Sequence, residues 1–423
     1  MAAVLASAFL LASCSSMPRE SYEPAHSNLQ NRITNTKAVA PQQPPTAEIR
    51  SIELFRERPG NPPVIVLGSS QRLTLQFDEL ADAGNSFLIR LKHYNSDWSE
   101  SFLPPAALSR GFRDDTITGG TPGTGQFPSF YSYSYTFPNR NLDIQVSGNF
   151  MVEVYDYVSR ELLFSLPFFV TEDRGSLRAE VTDHFFDSRF PNHQIFTEYQ
   201  FPDFVSMPLV DIDVRVVQNQ FWGRSRLTTE RDISSPGLIR LHLSREDSFP
   251  GRYEFRPLLI DDLFSITRDV FEVFPERNPP LIRLQYDVVD LDVNPRPSRS
   301  YSFGEPRSGR SARYTEVEFN LERPSFIEPD EAVFVTGSFT NWSISAAQRM
   351  IYSPDEDAFS ARILMKEGRY DYTYAVVNNN RLVDLRLSAF FAQTNQEYQV
   401  LVYFRDQQQQ FDRLLQFGTI RSR

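Results

Sequence analysis

A chain of 423 residues with 40% hydrophobic content can bury the cores of two to four domains, and its 36 Phe and 18 Tyr favour β-strands. The net charge of −11 repels phosphate backbones and argues against nucleic-acid binding. Because Cys14 is the single cysteine, an intrachain disulfide and a zinc site of clustered thiolates are excluded.

The N-terminal residues predict an exported protein. Residues 1–13 are apolar, too short to span a bilayer comfortably and end in small side chains, which is typical of a signal peptide. Leu11-Ala12-Ser13-Cys14 is similar to a bacterial lipobox, which predicts lipidation of Cys14. The alternative is a plain secretory peptide or a buried helix. The polar residues 14–45 predict a disordered tether.

Residues 46–172 predict a first β-sandwich. Apolar side chains recur there at every second position between turn-forming Gly, Pro, Asn and Asp clusters, which is the period of half-buried strands. The stretch from Gly111 to Pro128 has no such period and predicts a mobile surface loop, which is itself a candidate for contact with a partner. An aromatic ladder follows it, in which Tyr131, Tyr133 and Tyr135 are candidates for binding a partner. The pattern itself favours burial of this strand in its own sandwich, with tyrosine hydroxyls at the rim, over exposure of one face.

The same strand pattern divides the remaining chain. Residues 173–281 predict a middle β-sandwich, residues 282–311 a strand and a Pro-, Ser- and Gly-rich linker, and residues 312–423 a C-terminal early-set immunoglobulin-like domain. The predicted fold class is therefore all-β, with three consecutive immunoglobulin-like or early-set β-sandwich domains after a lipoprotein signal and a flexible tether.

Six short motifs in a fixed order resemble one known family. They are Phe77-Asp78-Glu79-Leu80, Leu91-Lys92-His93-Tyr94-Asn95-Ser96-Asp97-Trp98, Phe137-Pro138-Asn139, Ser147-Gly148-Asn149-Phe150, Val217-Gln218-Asn219 and Asp412-Arg413-Leu414. In this order the chain resembles the type IX secretion system plug proteins of the Bacteroidota and their relatives. The resemblance implies a protein that occludes the periplasmic mouth of a large outer-membrane translocon barrel.

The last domain also resembles a second type of module. The sequences from Val333 to Trp342 and from Lys366 to Tyr374 resemble those of glycogen-binding modules. This resemblance implies α-glucan binding through Trp342 and Tyr374 as an alternative function. The second tryptophan that such modules commonly place after the later hairpin is replaced by Asn380-Arg381-Leu382. Since tryptophan is usually largely buried, Trp342 fits a core position better than a sugar platform.

No catalytic or metal motif is found in the sequence. Asp290 to Asn294 imitates the start of a calcium loop, but Pro295 stands in place of the required glycine. His184 and His193 lack metal-site spacing, and no nucleophile elbow, phosphate-binding loop or zinc-protease motif occurs. A glycoside hydrolase would need paired carboxylates across a cleft, and no domain is left to hold them. No catalytic residues, cofactor, metal or small-molecule substrate are therefore expected.

These patterns predict a non-enzymatic lipoprotein on the periplasmic face of the outer membrane. Its expected partners are the translocon barrel and, through the Cys14 lipid, the membrane. The expected mechanism is steric occlusion of the barrel.

Overall fold

The computed structural model describes residues 37–124, 128–184, 192–250, 252–253, 255–260, 269–289, 305–306, 312–328, 330–378, 381–382, 387, 389–390 and 396–422. Strands dominate this part of the chain, and the two α-helices within it, α1 (Pro105–Leu108) and α2 (Pro208–Asp211), are single turns. The predicted all-β sandwich class is confirmed. Within these residues no helix has the length and hydropathy needed to cross a membrane.

The first sandwich consists of eleven strands. They are β1 (Ile49–Arg56), β2 (Val64–Val66), β3 (Leu73–Glu79), β4 (Phe87–Tyr94), β5 (Ser109–Gly111), β6 (Asp114–Ile117), β7 (Thr121–Pro122), β8 (Tyr131–Phe137), β9 (Leu142–Ile144), β10 (Gly148–Asp156) and β11 (Leu162–Thr171). One sheet has the order β1-β3-β8-β7 and the other β2-β11-β10-β4-β6, while β5 pairs with β9. Strands β5 to β7 occupy part of the segment predicted as a loop. Strand β6 pairs with β4 in one sheet, β7 pairs with β8 in the other, and β5 pairs with β9.

One sheet of this sandwich is buried on both faces. In β10, Phe150 and Val152 point into the sandwich core, whereas Met151 between them packs in a separate cluster with Phe169 of β11. Successive side chains of a strand alternate between faces, so a strand that is buried throughout must be covered twice. The second cover is the neighbouring domain.

The middle sandwich begins with seven strands. They are β12 (Ser176–His184), β13 (Asn192–Gln200), β14 (Ile212–Gln218), β15 (Arg226–Leu227), β16 (Glu230–Ser235), β17 (Leu238–His242) and β18 (Phe249–Pro250). One sheet has the order β12-β13-β17-β16, with β18 beside β13. The second sheet is left incomplete by this stretch of sequence.

A further sandwich follows before the middle one is completed. Its strands are β19 (Arg252–Tyr253), β20 (Arg256–Ile260), β21 (Val270–Phe274), β22 (Leu281–Asp287), β23 (Glu305–Pro306), β24 (Tyr314–Glu322), β25 (Ala332–Gly337), β26 (Ile351–Ser353), β27 (Ala358–Lys366), β28 (Gly368–Asn378), β29 (Arg381–Leu382) and β30 (Ala389–Phe390). One sheet has the order β21-β22-β24-β27-β26, and the other is built around β28, which pairs with β20, β23, β25 and β29. Strands β20 to β22 thus share its core with later strands.

The last two strands, β31 (Glu397–Asp406) and β32 (Phe411–Arg421), return to the middle sandwich. They complete its second sheet in the order β15-β14-β31-β32, and Val400, Val402 and Leu415 lie in the middle core. The sequence pattern predicted consecutive domains, with β31 and β32 in the C-terminal domain and β20 to β22 in the segments before it. The observed strand pairing differs from this prediction. Alternation within a strand identifies the strand but not its partner, which explains the difference.

Part of the predicted tether is ordered against the first sandwich. Val39 is buried, and the backbone N–H of Gln43 donates to Ser165 Oγ at 2.8 Å while the Gln43 carbonyl accepts from the Ser165 N–H. Packing by a neighbouring strand thus orders residues 37–45, although their composition predicts disorder. Residues 14–36 of the predicted tether and Cys14 lie outside the described residues.

Replacing Leu415 by alanine is expected to destabilise the middle sandwich by about 2–5 kcal/mol, because Leu415 is fully buried in its core. Urea unfolding followed by hydrogen exchange would measure the loss, with exposed Leu209→Ala as the control. Protection of backbone amides from hydrogen exchange should fall first in β13 and β17. Loss of protection confined to β24 would instead indicate that β31 and β32 belong to the inserted sandwich.

Candidate functional site

The three tyrosines proposed from the sequence as partner contacts lie against the core of the first sandwich. Tyr133 is buried and stacks on Phe77 with ring centroids 5.1 Å apart, and its hydroxyl donates to Glu79 and accepts from the Asn85 N–H. Tyr131 and Tyr135 are partly buried against the same core. Positions two apart share one face of β8, so all three rings turn inward. They do not form an exposed docking surface.

The two residues proposed for α-glucan contact are also buried. Trp342 packs against Phe221 and Phe255, at 5.3 and 4.9 Å between ring centroids, and Tyr374 donates its hydroxyl to Asp287 Oδ2 at 2.6 Å. A sugar platform needs an exposed ring face. The geometry therefore gives no support to the carbohydrate-binding alternative.

Of the remaining candidates for site chemistry, His193 is the one whose side chain the structure describes. Among the described residues no group of three or more His, Cys, Asp or Glu side chains is arranged to hold a metal ion. His193 is buried, with Nδ1 2.6 Å from the hydroxyl of Tyr398. The side chain of His184 and the calcium-like stretch Asp290 to Asn294 lie outside the described residues.

Three of the six motifs that carry the family resemblance, at residues 91–98, 147–150 and 412–414, meet at the junction between the first and middle sandwiches. The Ser96 N–H donates to Asp412 Oδ2 at 2.9 Å, and Asn149 bridges the two domains by donating to the Asn95 carbonyl and accepting from the Tyr403 hydroxyl at 2.6 Å. These partners are about 250 to 320 residues apart in sequence. These three motifs therefore describe one interface rather than separate sites.

A charged pair and an apolar cluster complete this junction. Arg413 donates to both carboxylate oxygens of Glu172 at 2.7 Å, and Ser147 donates to the same carboxylate. Although burial disfavours its ionised form, hydrogen bonds from Arg413 and Ser147 lower the pKa of Glu172. Beside this pair, Phe169 packs on Trp222 at 4.5 Å between ring centroids. The apolar cluster supplies buried area, and the charged pair fixes the relative orientation of the two domains.

His93 is held in one neutral form at the centre of the junction. Its Nε2 lies 3.0 Å from the Ser147 carbonyl, which can only accept, so Nε2 carries the proton and Nδ1 faces the Ser101 hydroxyl. Gly148 has a φ of 134°, and a Cβ there would lie 2.4 Å from Nε2. Glycine is therefore required beside this imidazole. Burial lowers the pKa of His93 to about 4.

A second junction joins the first sandwich to the inserted one through a buried ion pair. Lys366 Nζ lies 2.8 Å from Asp78 Oδ2, and both side chains are only 4% exposed. Asp78 also accepts from Ser132 and Tyr314, while the Lys366 ammonium lies 4.8 Å from the centre of the Phe130 ring. These contacts satisfy both charges. Sequence reasoning identified Asp78 only as part of a motif, because nothing local indicates a partner 288 residues away.

The first sandwich also carries an exposed apolar and basic protrusion, of which the sequence had indicated only the part within the loop from Gly111 to Pro128. Phe102 is 92% and Phe112 66% exposed, and Arg110 and Arg113 beside them are exposed as well. Behind Phe112 lies a groove of about 180 Å³ whose lining includes Leu103, Leu108, Phe112 and Leu142. We name Phe102, Arg110, Phe112 and Arg113 the Phe102–Arg113 protrusion. The available sequence signal was two isolated phenylalanines, Phe102 and Phe112, on either side of a segment that contains Pro104-Pro105-Ala106-Ala107.

The fold and its two polar junctions define a multidomain all-β protein built from three joined β-sandwiches. Residues 49–172 match the family model described as "Type 9 secretion system plug protein 1st domain". The first sandwich therefore matches the first domain of the type IX secretion system plug proteins, and the family predicted from the sequence motifs is confirmed for these residues. The plug family is non-enzymatic.

Solved structures support the fold over nearly the whole chain. A hypothetical protein from Parabacteroides merdae ATCC 43184 aligns with a TM-score of 0.81 and 21% identity, covering 90% of this chain and 99% of that one. That similarity shows the fold alone. A DNA-bound alkylpurine DNA glycosylase from Pseudomonas fluorescens (16% identity, covering 29% and 30%) and the C-terminal domain of Streptococcus pyogenes AspA (6%, covering 88% and 99%) reach TM-scores of only 0.17 and 0.18. Those two carry no argument. A comparison with curated proteins gives no match.

Replacing Lys366 by methionine is expected to cost about 3–5 kcal/mol of unfolding free energy, because Asp78 would remain as a buried carboxylate without its cation. Adding Asp78→Asn should recover part of the loss. Urea unfolding would measure both variants. The control is Arg421→Met, which removes a 68% exposed arginine paired with Glu397, while Gln399 still donates to that carboxylate, and should cost about 0–1 kcal/mol. Equal losses for Lys366→Met and the control would contradict a role for the buried pair.

Replacing His93 by glutamine is expected to reduce the loss of stability on acidification. The pKa of His93 is about 6.5 unfolded and about 4 folded, so the unfolded state binds more protons between these values. The contribution of neutral His93 to the free energy of unfolding is thus complete above pH 6.5 and decreases by about 1.4 kcal/mol per pH unit down to pH 4. Urea midpoints from pH 7 to 4.5 should fall more steeply for the native chain than for His93→Gln. Parallel curves would show that His93 does not titrate in this range.

Proposed function

We propose that this protein binds the periplasmic end of the outer-membrane translocon barrel of the type IX secretion system and occludes it. The observation that carries the proposal is the plug-family first domain at residues 49–172. The proposed location is the periplasmic face of the outer membrane, with a lipid on Cys14 as the anchor. The proposed activity is steric and involves no catalysis.

The two junctions support a steric role. A plug must resist deformation when it fills an opening, and separate sandwiches on flexible linkers would yield. Here Asp78–Lys366 and Glu172–Arg413 connect the first sandwich to the inserted and middle ones, and each pair has further hydrogen bonds. Buried pairs with satisfied partners favour one relative orientation of the domains. The three sandwiches would act as one wide body.

The Phe102–Arg113 protrusion is the proposed contact with the barrel. Aromatic and arginine side chains are enriched among residues that dominate binding energy at protein interfaces. The protrusion belongs to the domain matched by the plug family, and Phe102 and Phe112 are the two most exposed aromatic side chains of the described residues. It replaces Tyr131, Tyr133 and Tyr135, whose rings pack inward, as the candidate docking surface.

The double variant Phe102→Ser and Phe112→Ser is expected to reduce recovery of the barrel at least tenfold, since two exposed aromatic anchors would be lost. The measurement is an affinity pull-down of the full-length protein from detergent-solubilised native membranes, with mass spectrometry of the co-purified barrel. The matched control is Val158→Ser with Ile351→Ser, which removes two exposed apolar side chains, 87% and 66% exposed, elsewhere on the chain.

The same variants separate binding from occlusion. In cells that lack the native chain, uptake of a large hydrophilic antibiotic should increase, and the control variant should restore the barrier while the Phe102 and Phe112 variant should not. Recovery of the native protein alone from membranes would contradict barrel binding. Undiminished recovery of the barrel with the double variant would show that the contact with the barrel lies outside this protrusion.

A further inference from the structure

A cavity of about 70 Å³ lies where the three sandwiches meet. Its lining includes Arg50 and Glu53 from the first sandwich, Gln220 and Trp222 from the middle one, and Lys366 and Tyr370 from the inserted one, together with Lys37 of the ordered tether. Since a water molecule occupies about 30 Å³ in the liquid, this space holds about two waters or one small ion. Its contents would touch all three domains.

The charged side chains around the cavity are mostly cationic. Lys37, Arg50 and Lys366 line it, with Glu53 as the one carboxylate among its lining residues. Lys366 is neutralised by Asp78, 2.8 Å away, and the charge of Glu53 acts on Lys37. Among the lining residues this leaves Arg50 as the cation without a carboxylate of the lining beside it, and the charge of Glu48, outside the lining, acts on it from beyond ion-pair distance.

Arg50 lacks a counter-ion within the described part of the chain. Its guanidinium donates to the carbonyl of Ile49 at 3.0 Å, and no carboxylate there lies within ion-pair distance. Burial lowers the pKa of Arg50, which means that the charged guanidinium is poorly solvated where it lies. Arginine nevertheless stays protonated in proteins, so the charge persists. A half-buried cation that makes no ion pair within the described residues favours capture of an anion.

The local backbone holds Arg50 at this place. The register of β1 against β3 shifts between Arg50 and Glu53, and Ser51 has a φ of 51°. This bulge lets Ser51 Oγ contact the Tyr314 hydroxyl at 2.8 Å, which joins the bulge to the inserted sandwich. Bulges re-aim the side chains beside them.

We propose that this cavity binds one small oxyanion, a carboxylate or an inorganic phosphate or sulfate, between Arg50 and Lys37. The planar guanidinium presents paired N–H donors that match two oxygens of such an anion. The amide of Gln42, which also lines the cavity, adds a polar neighbour. A bound oxyanion would neutralise Arg50 and connect all three sandwiches, so it would raise the stability of the whole body. This inference does not depend on binding to the barrel.

The test measures thermal unfolding of the full-length protein at pH 7 and constant ionic strength, with chloride replaced stepwise by phosphate, sulfate or acetate. A saturable rise in Tm is expected for the native chain. A response to acetate assigns a carboxylate, and a response to phosphate or sulfate assigns an inorganic oxyanion. Since sulfate and phosphate stabilise many proteins without a site, the variants decide the interpretation.

Arg50→Met should abolish the saturable rise, and in chloride alone it should be no less stable than the native chain, because it removes an uncompensated cation. Lys37→Met should shift half-saturation to at least tenfold higher anion concentration. The matched control is Arg72→Met on an exposed arginine of the same domain, which should respond like the native chain. Equal Tm rises in the native chain and Arg50→Met, or no rise with any oxyanion, would overturn the proposal.

A second measurement does not depend on the folding of any variant. Crystals of the native protein grown with selenate should show an anomalous peak beside the Arg50 guanidinium. Absence of that peak at saturating selenate would argue against an inorganic oxyanion as the ligand. The same experiment with bromoacetate tests a carboxylate as the ligand. Absence of both peaks would overturn the proposal.

Discussion

The pairing of β31 with β14 is the constraint on which the rest of the structure depends. Seven residue pairs, from Ile212–Phe404 to Gln218–Tyr398, form this ladder between strands that lie about 190 residues apart. It completes the second sheet of the middle sandwich, so everything between β18 and β31 must leave that domain and return to it. It also places Asp412 and Arg413, which follow β31, against the first sandwich.

The polar contacts between domains serve a different purpose from the apolar clusters beside them. Phe169 and Trp222 bury area without fixing a single geometry, whereas Glu172–Arg413 and Asp78–Lys366 are satisfied in only one arrangement. Removing one partner of a buried pair costs more than the pair contributes, since the other charge remains unpaired. The chain thereby favours one arrangement of its three sandwiches, which suits a protein whose proposed role is to fill an opening.

The first sandwich is where the structural and proposed functional features converge. Its doubly covered sheet faces the middle domain, and Asp78 on its other sheet faces the inserted domain. The Phe102–Arg113 protrusion leaves a third side for a partner. The family match covers this same domain, so the part of the chain with the identified family is also the part that connects the other two sandwiches.

The sequence by itself determined the all-β class, the positions of most strands in the first domain and the family, because period-two alternation and short motifs are local signals. The unbroken apolar run from Leu166 to Val170 could also have indicated a strand covered on both faces. Only the tertiary structure decided which strands share a sheet, that Tyr133 points inward while Phe102 points outward, and that Lys366 meets Asp78. Alternation gives each strand two faces but does not say which face is covered or by which distant strand. Those choices depend on contacts between residues hundreds of positions apart, and no local pattern encodes them.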